Sequence, residues 1–145
     1  MKLVKPRWYV DADTLGLAHI LIRARRDVTF CGDEGLRHRK SWTMAPCVIE
    51  DTATPDDIWI PQVTALGLAI ITRDKHIEMR TAEKNAVLAA RARMFAITSE
   101  ESLDAWGLLE VVVTQWRHME EAAEKPGSYI YSVTRSGIRE ITLTS

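Results

Sequence analysis

The chain has 145 residues, enough for one domain with a real core, and with nearly half of them apolar it is not globally disordered. Its 19 basic and 20 acidic residues leave a formal net charge of -1, which excludes a generally basic nucleic-acid-binding protein. The opening Met-Lys-Leu-Val-Lys-Pro has no apolar signal-peptide core and no stretch reaches transmembrane length. Cys31 and Cys47 lack metal-type spacing, so a cytoplasmic, non-membrane protein with reduced thiols is expected. Any positive field must be local, from Arg23, Arg25 and Arg26 or from Arg37, His38, Arg39 and Lys40. The ordinary alternative for these cations is a solvated face.

In chain order, Arg7 to Val10 reads as a short strand that ends in Asp11. Thr14 to Arg25 carries Leu15, Ala18, Leu21 and Ile22 at helical spacing, and Asp27 to Cys31 is a second strand closed by Gly32. Gly32 to Thr54 is irregular, polar and basic before the apolar run Cys47 to Ile49. Thr54-Pro55-Asp56-Asp57 predicts a helix start, with Thr54 at the N-cap, Pro55 first in the helix and Asp57 third. That helix is expected to bury Trp59, Val63 and Leu66, to kink at Pro61 and to stop at Gly67. Leu68 to Thr72 is the continuous apolar run of a strand covered on both faces, and it leads into Arg73-Asp74.

An Ala-rich helix follows around Ala82 to Arg91, then a strand at Met94 to Thr98. A helix beginning near Ser99 is expected to place Leu103, Trp106, Leu109, Val113 and Trp116 on one side and to break at Lys125-Pro126-Gly127. Tyr129 to Thr134 and Ile138 to Leu143 read as a closing hairpin about Arg135-Ser136-Gly137. Strands alternating with helices predict an α/β fold with a mostly parallel central sheet, three layers deep, and the hairpin as an addition at its edge. No repeat, linker or low-complexity stretch divides residues 1–145, so a single domain is expected.

Functional groups of an open parallel sheet gather beyond the carboxyl ends of its strands. Asp11 and Asp74 each follow a predicted strand, and Asp56 opens the helix leading into the second of them. Taken singly, Asp56 could complement a helix N-terminus, and Asp11 and Asp74 could cap turns. Together they converge on one rim if the two strands are neighbours. Like charges about 5 Å apart repel by roughly 3 kcal/mol at an effective dielectric near 20, and a divalent cation removes that cost. All-oxygen ligation favours Mg²⁺ or Mn²⁺, which would activate water against a phosphodiester such as that of single-stranded RNA. Arg73 and Lys75 flank Asp74 and are the nearest phosphate-contacting candidates, with His76 beside them. Trp59, Trp106 and Trp116 fall at helical core spacing, whereas Trp42 in the irregular basic segment is the better base-stacking candidate.

The string Tyr9-Val10-Asp11-Ala12-Asp13-Thr14-Leu15-Gly16-Leu17-Ala18 resembles the opening of PIN-like domains, in which a strand delivers the first metal aspartate. Asp56-Asp57-Ile58-Trp59, then Gly67 and Ile70-Ile71-Thr72-Arg73-Asp74, resembles the later signature of that family, with its eighteen positions between the two acids. The segments Asp27 to Asp33 and Tyr129 to Gly137 are similar to the VapC-type branch, so the resemblance spans nearly the whole chain.

The resemblance implies the toxin of a type II toxin–antitoxin pair: a Mg²⁺- or Mn²⁺-dependent endoribonuclease, restrained by a cognate antitoxin and often a homodimer. Carried over, Asp11, Asp56 and Asp74 would be catalytic metal ligands, Asp13 and Asp57 further ligands or supporting acids, and Thr72 an orienting hydroxyl. The family's glutamate on an intermediate helix has only Asp33, Glu34 and Glu50 as loose candidates, and His76 and Ile77 stand where a further acid is expected. The number of metal ions is therefore open. Two other readings are a catalytically degenerate PIN-like binding module and a phosphatase, since Asp11-Ala-Asp13-Thr14 also resembles haloacid dehalogenases. The latter family places its threonine four positions after the nucleophile, where Leu15 stands here.

Overall fold

The computed structural model describes residues 2–35 and 42–144. The basic run Arg37, His38, Arg39 and Lys40 lies outside the described residues.

Six strands form the main sheet: β2 (Trp8–Val10), β3 (Val28–Phe30), β5 (Ala69–Arg73), β6 (Arg93–Ile97), β7 (Tyr129–Thr134) and β8 (Gly137–Ile141). Their order is β3-β2-β5-β6-β7-β8, parallel throughout except for the antiparallel closing pair β7–β8 at the edge. Successive side chains alternate between two buried faces. Trp8, Val10, Ala69, Ile71, Phe95 and Ile97 face one core, shared with Leu17 and Leu21 of α1 (Leu15–Ala24) and Val111 and Met119 of α4 (Ala105–Ala123). Tyr9, Ile70, Met94 and Ile130 face the other, shared with Trp59, Ile60 and Val63 of α2 (Asp56–Ala65) and Val87 of α3 (Thr81–Ala90). The expected α/β fold, three layers on a mostly parallel sheet with a C-terminal hairpin, is what the chain adopts.

The topology also decides where a site can form. The chain passes from β2 through α1 outward to β3, then crosses back through α2 to β5 on the other side of β2. Connections therefore diverge between β2 and β5, and such a divergence leaves a crevice at the carboxyl ends of the two strands.

Several local expectations need correction. Pro55, not Thr54, holds the N-cap position of α2 and, having no polar side chain, offers no side-chain cap, while the Thr54 hydroxyl donates to the Asp51 carbonyl at 2.6 Å. That helix buries Ile60 rather than Leu66, which is 57% exposed just before the turn at Gly67. Gly67 has φ +80°, a left-handed value that suits glycine where the helix ends and β5 begins.

The helix placed near Ser99 begins at Ala105, where Asp104 accepts from the Gly107 N–H at 2.8 Å. Its buried face carries Leu108, Val111, Val112, Gln115 and Met119, while Trp106 and Val113 are exposed. Of the expected stripe, Leu103 is buried and Leu109 and Trp116 are partly buried against the core. A Cβ at Gly107 would stand 2.9 Å from Leu103, whereas the larger Trp106 is left outside.

Finally, the irregular segment contributes a strand that short alternation concealed. Trp42–Met44 (β4) pairs in parallel with Lys2–Val4 (β1) as a separate two-stranded sheet. Cys47 and Ile49 are buried without forming a strand, and both cysteines are free thiols.

Candidate active site

The register of β2 and β5 builds the centre of the rim. Val10 lies opposite Ile71, and the Asp11 N–H donates to the Ile71 carbonyl at 2.9 Å, so the next residue of each strand, Asp11 and Thr72, stand together. Thr72 is the one polar side chain of the Ala-Ile-Ile-Thr run and is 1% exposed. Its hydroxyl lies 3.2 Å from Asp11 Oδ2 and 3.0 Å from Asp13 Oδ2. With a single proton, it donates to one of the two carboxylates at a time. Asp11 in turn accepts from the Ala12 N–H at 2.7 Å and starts a short 3₁₀ turn that delivers Asp13 back to the same rim.

Asp74 follows β5, where its N–H donates to the Ile97 carbonyl and its carboxylate accepts from the His76 N–H at 2.9 Å. The other Asp74 oxygen is paired with Arg80 Nε at 3.1 Å. Asp56, in the first turn of α2, accepts from Trp59 Nε1 at 2.8 Å, which ties it to a buried side chain of its own helix.

A further acid joins them that the motif search missed. Glu83, in the first turn of α3, is half-buried, and its carboxyl is pushed up to about 7 by lost hydration and then by the charges of Asp56, Asp74, Asp11 and Asp13. Those four charges therefore all lie within electrostatic reach of Glu83. Asp13 is likewise raised to about 7, first by lost hydration, then by Asp11 and Asp74, against the opposing hydrogen bonds from Thr72 and the Arg73 backbone. Asp11 is raised by lost hydration and by Asp56, again opposed by its hydrogen bonds. Glu83 was detectable in principle. It sits one turn before the buried Val87, at i to i+4, so it occupies the sheet-facing side of α3.

The structure thus brings Asp11, Asp13, Asp56, Asp74 and Thr72 to a common rim and adds Glu83. Asp57 is exposed on α2, and none of these shifts traces to it; in the first helical turn it complements the helix N-terminus. Asp33 is spent on its own loop, accepting from Thr29 at 2.8 Å and from the Gly35 N–H at 2.9 Å, and Glu34 and Glu50 are exposed. Arg73 turns its guanidinium to the Leu103 carbonyl at 2.8 Å, anchoring the segment before α4. Lys75 and His76 are exposed beside Asp74, with Lys75 on a shallow cavity shared with Asp13, Arg73 and Glu101.

Donor type and charge suit a hard divalent cation: several carboxylates whose mutual repulsion, among the described residues, is offset by an arginine pair only at Asp74. Spacing is looser, since among the described residues no three His, Cys, Asp or Glu side chains already close around one point. That matches the habit of Mg²⁺, which keeps several waters and takes only one or two carboxylates directly.

A family model described as "PIN like domain" matches residues 7–99, about two thirds of the chain. The chain belongs to the PIN-like domain family. The matched span runs from β2 to just past β6 and contains Asp11, Asp13, Asp56, Asp74 and Glu83. Helix α4 and the β7–β8 hairpin of this PIN-like protein lie beyond it. No curated protein and no solved structure matches the chain. Among the described residues no helix is long and apolar enough to cross a membrane.

Proposed function

We propose that this PIN-like protein is a Mg²⁺- or Mn²⁺-dependent endoribonuclease whose acidic rim hydrolyses RNA phosphodiesters. The observation that carries the reading is the convergence of Asp11, Asp13, Asp56, Asp74 and Glu83 at the switch between β2 and β5. Asp11, Asp56 and Asp74 would hold the cation, with Asp13 and Glu83 ligating directly or through water. Bound there, such an ion neutralises phosphate oxygens and makes water beside it a better nucleophile.

The protein's own groups prepare that chemistry. Thr72 fixes the orientation of Asp11 and Asp13 from below. With their carboxyls raised to about 7, Asp13 and Glu83 each hold a proton part of the time at neutral pH, until a cation takes its place. Lys75 and His76 follow Asp74 directly, are exposed, and would meet the RNA phosphates.

The finer assignment, the toxin of a type II toxin–antitoxin pair of the VapC type in the cytoplasm, is supported by the sequence resemblance. Its partners would be the RNA substrate, a cognate antitoxin and a second copy of the chain. Exposed Trp106 and Val113, aligned on one side of α4, are apolar surface that a protein partner would cover.

One observation favours a second reading, a degenerate PIN-like module that binds RNA without cutting it: Arg80 already stands as a cation on Asp74. One pair of measurements separates the two. Purified protein should cleave single-stranded RNA with Mn²⁺ or Mg²⁺ and should melt at a higher temperature with Mn²⁺. Asp11→Asn and Asp74→Asn should each abolish both effects. Full cleavage in both variants would refute the mechanism, and RNA binding with no Mn²⁺ shift in the unmutated protein would establish the degenerate reading.

A further inference from the structure

At the opposite end of β2 from the acids, a cleft of about 680 Å³ opens between β1, the start of β2 and the end of α1. It is lined by Lys2, Lys5, Arg7, Arg25 and Arg26, with Asp27 the single acidic residue. Asp27 is already engaged: Arg25 donates to both of its carboxylate oxygens, at 2.9 and 2.8 Å. Arg25 also reaches Glu120 at 3.7 Å and lies over the Trp116 ring at 4.6 Å, so it is a fixed part of the wall. Lys2, Lys5, Arg7 and Arg26 are exposed and form no ion pair with any described residue.

Four uncompensated cations in one cleft, in a chain whose net charge is -1, mark a segregated positive field. Arg26 alone could be explained by the partial negative charge at the end of α1. That account does not extend to Lys2, Lys5 and Arg7, which come from a separate segment. We infer that this cleft binds the sugar-phosphate backbone of single-stranded RNA as a site distinct from the acidic rim.

An acidic polypeptide would satisfy the same charges, but the neighbouring strand favours nucleic acid. Trp42 of β4 is the register partner of Lys2, so its half-buried ring shares a face with that lysine. An aromatic beside a row of cations suits bases stacked along a phosphate chain. Arg7 and Asp11 bracket β2, four residues apart, about 13 Å at the usual strand rise. An RNA long enough to pass around the sheet edge would therefore touch both ends, the cleft holding it and the rim facing a different phosphate. The identity of the anion rests on the nuclease proposal; the existence of the site rests on the cleft.

The test compares the unmutated protein, the charge-reversal variant Lys5→Glu/Arg26→Glu, and Asp11→Asn/Asp74→Asn, each checked for an unchanged circular-dichroism spectrum. Fluorescence anisotropy would measure binding of an oligouridine of about 20 nucleotides, and of polyglutamate, across a salt series. Charge reversal should weaken oligouridine binding about tenfold and lower the slope of log K against log salt by about 1.4, two contacts at roughly 0.7 each. The Asp11/Asp74 variant should still bind. Unchanged affinity and slope on charge reversal would overturn the inference, as would polyglutamate binding in place of RNA. If RNA is cut but its affinity and salt slope are unchanged by charge reversal, the cleft falls while the nuclease stands. If the cleft binds RNA that Mn²⁺ and Mg²⁺ never cause to be cut, the nuclease falls while the cleft stands.

Discussion

Replacing Thr72 by valine tests the electrostatics of the rim without emptying it. The side chain is 1% exposed in a central strand, and valine keeps its β-branched shape and strand preference. What disappears is the hydroxyl that donates to Asp13 Oδ2 at 3.0 Å or Asp11 Oδ2 at 3.2 Å. A hydrogen bond to a charged group contributes about 1.5–3 kcal/mol, so the loss at pH 8 should be about 2 kcal/mol. For a chain of this size that corresponds to a fall in Tm of roughly 4–8 °C.

At pH 5 the Asp13 carboxyl, raised to about 7, is protonated and no longer needs a donor, so the loss should shrink to about 1 kcal/mol or less. Urea unfolding at the two pH values, in EDTA, reads both numbers. Equal destabilisation at pH 5 and pH 8 would refute the claim that Thr72 serves ionised carboxylates rather than packing.

The same raised groups fix a pH trend for the metal-free protein. Asp13 and Glu83, both raised to about 7, favour the folded state fully below their ordinary values near 4, and that contribution is lost as pH rises through 7. Melting temperature in EDTA should therefore carry a downward component between pH 5 and pH 8 that Glu83→Gln reduces, and an identical profile in the variant would contradict it. Arg80→Ala removes a half-exposed ion pair and should cost under about 1 kcal/mol of stability. By freeing an Asp74 oxygen it should also lower the Mn²⁺ concentration at the midpoint of the thermal shift several-fold. A higher midpoint would mean that Arg80 organises the site instead of competing for it.

Most of the architecture could be read from periodicity, because the sheet is buried on both faces. Runs such as Ala69-Ile70-Ile71 have no polar side to mislead, and Asp11 and Asp74 are conspicuous as charges ending them. Amphipathic elements were harder. On α4, Trp106 and Val113 have the right spacing, but burial went to the neighbouring stripe of Leu108, Val111, Val112 and Met119. Spacing fixes a helix's period; which face turns inward is settled by side-chain volume against the partner. The pairing of Lys2–Val4 with Trp42–Met44 was invisible for another reason, since three residues are too few for alternation to register and their partner is some forty positions away.

Glu83 shows why a catalytic constellation is only partly written in motifs. Asp11, Asp56 and Asp74 are each tied to a local signal: a strand end, a helix start, a second strand end. Glu83 has no such marker, and its place at the rim follows from how Val87 docks α3 against the sheet. What distinguishes it is a conflict. An acid occupies the helix face that Val87 turns to the core, and its carboxyl is raised to about 7 among four others. Thr72 repeats the pattern as the polar residue of an otherwise apolar strand. Once ionised, Glu83 costs stability where it stands, and a chain that keeps such a group at a strand switch point, with one arginine as partial relief, has spent fold energy on holding negative charge together. That expense is useful only if something positively charged arrives, which is why the response of the melting temperature to Mn²⁺, and its loss in Asp74→Asn, probes the function more directly than any assay on a chosen RNA.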